Sequence, residues 1–168
     1  ELAVAAAAKF PPDRIEMHGN NKSEAEIEEA ITYGVKSIVV DSIQEIERVA
    51  EIAKAHNKVQ EIVIRLNPGV EAHTHEYITT AIEDVKFGFS IASGAAWKAV
   101  ELISKLPSLK LTGVHSHIGS QIFESEPFDA TAVKHLEFMK HYKDEFNSEL
   151  PNLIIGGGFG IAYVEGDN

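Results

Sequence analysis

Residues Leu153 to Gly160 read L-I-I-G-G-G-F-G, a short apolar run leading into three consecutive glycines. Glycine reaches positive φ without strain, so successive backbone N–H groups at Gly156, Gly157 and Gly158 can turn into one concave nest for a phosphate. The run lacks the Lys-Ser/Thr ending of a P-loop. It also misses the G-x-G-x-x-G register, because Ile161 stands three positions after Gly158 and Tyr163 three after Gly160. A phosphate held here is therefore not that of a nucleotide bound in either of those ways. A tight turn with no ligand is the competing reading.

The second group is His115-Ser-His117, at the end of an apolar run that starts at Leu109. Alternation along a strand places Leu109, Leu111, Gly113, His115 and His117 on one face, with Gly113 leaving room beside the imidazoles. Three readings stay open. The pair supplies a stacking or proton-handling imidazole at a barrel mouth, or ligands for zinc in a barrel hydrolase, or histidines satisfied by backbone in a crowded core. His73 and His75 form another H-x-H in the loop after Pro68-Gly69. The chain has no cysteine, and no further carboxylate ligands are identifiable for a metal.

Ser120 follows Gly119 and is either a second phosphate donor or an ordinary turn residue. Arg65 ends an apolar strand and keeps its charge, so it needs a partner: a substrate carboxylate or an acid inside the fold. Lys86, in Lys-Phe-Gly-Phe, reads as a loop residue. Asn20, Asn21 and Lys22 read as a turn leading into a helix with no ligand.

The elements that must position these groups alternate strand and helix. Strands are expected at Arg14–His18, Ser37–Val40, Glu61–Leu66, Leu109–His117 and Leu153–Ile155. Ser23 with Glu26, and Ser42 with Glu45, form capping boxes that open helices. Ile27, Ala30 and Ile31 line one helix, which Gly34 ends. Ile46, Val49, Ala50 and Ala53 line the next. Further helices are expected at Ala95–Leu106, before Pro107, and at Asp129–Phe146. Five strands with intervening helices predict a parallel sheet, either doubly wound or part of an eight-stranded barrel. Polar residues cluster after four different strand ends, which fits a barrel better than a single switch point.

The chain carries a net charge of −11, which speaks against nucleic acid, whose phosphates are met by Lys and Arg. No apolar run reaches transmembrane length, so no membrane partner is expected. The acidic balance suits a cytoplasmic enzyme. The chain opens without Met in helical composition and closes after the glycine loop, where a helix is expected, so it reads as an internal piece of a longer polypeptide.

His18-Gly-Asn-Asn-Lys-Ser23, Arg65-Leu-Asn-Pro-Gly-Val-Glu-Ala-His-Thr-His-Glu-Tyr77, Lys86-Phe-Gly-Phe-Ser90, Gly113-Val-His-Ser-His-Ile-Gly-Ser-Gln121 and Ile155-Gly-Gly-Gly-Phe-Gly160 together resemble diaminopimelate decarboxylases. The H-I-G-S and G-G-G-F segments are similar more broadly to pyridoxal-phosphate decarboxylases with an alanine-racemase-like barrel. The resemblance implies a (β/α)8 TIM-type barrel followed by a β-sandwich. Residues 1–168 would form part of the barrel, from its second helix to just past its seventh strand, with roughly five of the eight strands and without the sandwich.

It also implies pyridoxal 5'-phosphate as cofactor, with His117 stacking on its ring and Ser120, Gly157 and Gly158 holding its phosphate. The implied reaction is meso-2,6-diaminopimelate to L-lysine and CO2, in a homodimer. The Schiff-base lysine would precede Glu1, and the substrate-gripping residues would follow Asn168. Ornithine, arginine or carboxynorspermidine as substrate, and a non-catalytic regulator lacking that lysine, are the alternatives.

Overall fold

The computed structural model describes residues 1–70 and 87–164. His73, His75 and Lys86 lie outside the described residues. Among the described residues, the helices are α1 (Leu2–Ala7), α2 (Glu24–Tyr33), α3 (Ile43–Ala55), α4 (Ala95–Ile103) and α5 (Glu126–Phe146). The strands are β1 (Glu16–Met17), β2 (Ser37–Val40), β3 (Gln60–Asn67), β4 (Phe89–Ser90), β5 (Leu109–His115) and β6 (Asn152–Ile154).

Every strand pairing is parallel, and the sheet runs β1-β2-β3-β5-β6, with β4 against the C-terminal end of β3. Apart from β4, spatial order follows chain order without reversal. A doubly wound sheet reverses at its switch point, whereas an unreversed order is that of a barrel segment. The five-strand path bears out the partial TIM-type barrel.

Local chemistry explains most of the elements. At α2, Ser23 Oγ accepts from the Glu26 N–H at 3.3 Å, and the Glu26 carboxylate accepts from the Ser23 N–H at 2.8 Å, a complete capping box. Gly34 ends the helix at φ 89°, in the left-handed region that glycine enters freely. At α3 only half the expected box forms. Ser42 Oγ accepts from the Glu45 N–H at 3.2 Å, but the Glu45 carboxylate turns to the Asp41 N–H and to Lys22. A buried ammonium is a stronger partner than a backbone donor.

Ile27, Ala30 and Ile31 of α2 and Ile46, Val49, Ala50 and Ala53 of α3 are buried as their spacing predicts. They pack with Ile38, Val40, Ile62, Ile64 and Leu66 from one face of the sheet and with Ala96, Ala99 and Val100 of α4. Pairing puts Val39, Val63 and Arg65 on the opposite face, which lines the interior of a closed barrel.

Several bounds differ from the sequence reading. Pro12–Arg14 forms a 3-10 turn, leaving β1 only Glu16–Met17, and the β5 strand stops at His115. The two-residue β4 carries too little pattern to be read from sequence.

The larger correction lies within β5. Gln60 faces Leu109 and Ile62 faces Leu111, but Val63 faces Gly113 and Arg65 faces His115. Thr112 is an extra residue, a β-bulge. Leu109 and Leu111 therefore share the helix-facing side, while Gly113 and His115 are switched to the side of Val63 and Arg65. The single face expected from alternation is broken at Thr112.

Candidate functional site

The segments following β5 and β6 are sewn to each other. Ser116 N–H donates to Ile154 at 3.0 Å, Ile122 N–H to Gly158 at 2.8 Å, and Gly160 N–H to Ile122 at 2.8 Å. Gln121 adds both ends of its amide: Nε2 donates to the Ile161 carbonyl at 3.1 Å, and Oε1 accepts from the Ile161 N–H at 3.2 Å. Phe128 and Phe159 stack beside this seam, 4.6 Å between ring centres.

The closeness of the two segments explains two of the glycines. A Cβ on Gly156 would be driven into the Ser116 carbonyl and toward His117 Cα, and one on Gly158 into the Gly119 carbonyl and toward Ser120 Cα. Both also adopt positive φ, 84° and 121°. Gly157, between them, faces open space.

His117, Ser120, Gly157 and Gly158 are thus brought to one seam at the C-terminal edge of the sheet. His117, Ser120 and Gly157 are exposed. Among the described residues, the His117 ring, the Ser120 hydroxyl and the N–H groups of Gly157 and Gly158 have no protein partner. Four polar groups with unused capacity on two interlocked loops form a donor set for an anion.

His115 is not in this group. It is buried, 6% exposed, and its ring meets the edge of His18, 4.9 Å between centroids at 73°. Burial pushes its pKa down to about 3, and the nearby His18 and Arg65 act in the same direction. The ring stays neutral at ordinary pH, with Nδ1 unpartnered among the described residues. His18 is also lowered, first by burial. The adjacent Ser116 Oγ is likewise buried without a partner among the described residues. Behind the strand, His135 of α5 is fully buried and bonds the Thr131 carbonyl through Nδ1 at 2.7 Å. Its pKa is lowered by burial.

Arg65 has no acidic partner among the described residues. Its guanidinium lies over the Phe87 ring, 4.9 Å from the centroid, a cation–π contact. Also among these residues, no three His, Asp or Glu side chains gather to hold a metal, and no helix is long and apolar enough to cross a membrane.

Lys22 departs most from its sequence reading. It is 3% exposed, and its ammonium donates to the Gly19 carbonyl, to the Val39 carbonyl at 2.7 Å and to Glu45 Oε1 at 2.7 Å. All three donors are used. It ties the His18 loop to the ends of β2 and α3. No periodicity marks it, since two of its three partners, Val39 and Glu45, come from distant elements. Gln121 was missed for the same reason.

A parallel barrel segment with a glycine-lined seam at its C-terminal edge defines the class. Across residues 1–168 the chain matches, and belongs to, the family described as pyridoxal-dependent decarboxylase, pyridoxal binding domain. It is 49% identical to a diaminopimelate decarboxylase of Mycobacterium tuberculosis over all of this chain and 38% of that protein. It is 42% identical to one of Bacillus subtilis, over 99% of this chain and 38% of the other. The structure of diaminopimelate decarboxylase from M. jannaschii in complex with L-lysine superposes with a TM-score of 0.87 at 32% identity, over 99% of this chain and 38% of that one. The chain thus spans under two fifths of the length of these relatives.

Proposed function

We propose that this chain is the cofactor-binding part of a barrel decarboxylase that converts meso-2,6-diaminopimelate to L-lysine and CO2 with pyridoxal 5'-phosphate. In the whole barrel it runs from the second helix to just past the seventh strand. The reading is carried by the unpartnered donors of His117, Ser120, Gly157 and Gly158 on one seam. The relatives' names supply the substrate. A homodimer and a cytoplasmic location belong to the same proposal.

The residues fit the cofactor. A phosphate suits two free N–H groups and a hydroxyl beside a cradle that side chains cannot invade, and a flat ring suits an exposed imidazole. When bound, pyridoxal phosphate supplies an electron sink for the pair left as the α-carboxylate departs. Ser120, Gly157 and Gly158 anchor the phosphate. His117 would pack on the ring and hold its orientation. His115, neutral and buried, adds no positive charge near that ring.

The test is CO2 release from meso-diaminopimelate by the whole polypeptide, with and without pyridoxal phosphate. Release that needs the cofactor supports the reading. Release from ornithine alone moves the substrate within the family. No release at full cofactor occupancy refutes it.

A further inference from the structure

The bulge at Thr112 raises a question of register. A strand with one extra residue can absorb it by bulging or by slipping one step along its neighbour. In the bulged register Val114 is fully buried against the helices and His115 faces Val63 and Arg65. In the slipped register Thr112 would face Val63 and Val114 would face Arg65. Val114 would leave the core, and His115 would turn toward the helices.

Burial of Val114 favours the bulge. The ladder opposes it, because a bulged residue loses its regular partners, and Thr112 is only 2% exposed. Two side-chain bonds offset that loss. Asn152 Nδ2 donates to the Thr112 carbonyl at 3.0 Å, and Thr112 Oγ1 donates to the Ile62 carbonyl at 3.3 Å.

Asn152 is well placed for this. It is the first residue of β6, and β6 pairs with β5 only beyond the bulge, Gly113 with Asn152 through His115 with Ile154. A Cβ at Gly113 would lie 2.5 Å from the Asn152 carbonyl oxygen, so the two backbones meet where only glycine fits. The same register sets how Ser116 and Gly119 rest on Gly156 and Gly158.

We propose that Asn152 is a positioning residue: its amide clamps the bulged Thr112 and thereby fixes which face His115 takes and how the His117–Ser120 segment meets the glycine loop. The part concerning the cofactor rests on the function proposed above. The part concerning register does not.

The experiment compares Asn152→Leu, deletion of Thr112, and the two combined, in the whole polypeptide. Asn152→Leu keeps the volume and removes the donor. Deletion removes the extra residue, so His115 keeps its face and the clamp has nothing to hold. Two quantities are read: the His18–His115 ring contact, by NMR of histidine-labelled protein, and the affinity for pyridoxal phosphate, by titration.

Asn152→Leu is expected to lose the ring contact and to weaken cofactor affinity about tenfold or more. Deleting Thr112 in that background is expected to restore both. A general loss of stability would not be repaired by shortening the strand. If Asn152→Leu folds with the contact intact, or if the combined variant recovers nothing, the proposal is overturned. If Asn152→Leu does not fold, the combined variant decides alone: a folded protein with the contact supports the clamp, and an unfolded one refutes it. Failure of the unaltered protein to bind pyridoxal phosphate would sink the cofactor reading, and the ring contact would still judge the clamp.

Discussion

The imidazole rings of His18 and His115 meet in a T-shaped contact across the interior face of the sheet, their centroids 4.9 Å apart and their planes 73° from coplanar. One ring comes from the end of β1 and the other from the end of β5, so the contact spans the sheet. Burial first, and then the nearby His18 and Arg65, disfavour a proton on His115. The folded pKa of His115 is pushed down to about 3 from an ordinary 6.5. Between those values the unfolded chain binds the extra proton, so stability rises with pH through the window. It is complete above the upper value and is lost as pH falls toward the lower one. His115→Gln should therefore shrink the stability difference between about pH 7 and about pH 5, read by urea unfolding at each. A difference as large as that of the unaltered protein would refute this. His18 and His135, both lowered by burial, will leave part of the acid sensitivity in place.

Lys22 and Glu45 form a buried pair, with side chains 2% and 5% exposed. Burial raises the Glu45 pKa, and Lys22 holds it back. Lys22→Met strands the carboxylate and should cost about 3–5 kcal/mol in denaturant unfolding. Adding Glu45→Leu should recover most of that loss, because the cost lies in the unpaired charge. A double variant no more stable than the single one would show that the Gly19 and Val39 carbonyl bonds matter more.

The glycines of the seam should not be equivalent. Gly158→Ala forces a Cβ against the Gly119 carbonyl at φ 121°, so the two loops must part. Gly157→Ala meets open space and keeps its N–H. The first should weaken pyridoxal phosphate binding by about tenfold or more, and the second by less than about threefold. Equal effects in a cofactor titration would dismiss the cradle.

His117→Ala should weaken cofactor binding by up to about tenfold, the scale of a lost aromatic contact, and should slow turnover at saturating cofactor. Full occupancy with an unchanged rate would remove His117 from the site.

Much of this was legible in the chain because it is local. Capping serines, the apolar spacing of α2 and α3, and the continuous run at Ser37–Val40 report on neighbours within a turn or a strand. Glycines that cannot carry a Cβ also advertise themselves, which is why the close approach of the loops could be read at Gly156 and Gly158. β4 escaped because two residues show no period. The second capping box failed because a distant ammonium outbid the local donor.

The sequence alone determined the alternation of strands and helices, the buried helix faces and the residue types gathered after β5 and β6. The tertiary structure alone decided the unreversed strand order, the burial of Lys22 against Glu45, the placement of Arg65 over Phe87 and the separation of His115 from His117. Each of these depends on residues far apart in the chain. The bulge at Thr112 shows the reason most directly. Alternation is a property of one strand, but register is set by the hydrogen bonds and burial it gains from its neighbours, here Ile62 on one side and Asn152 on the other.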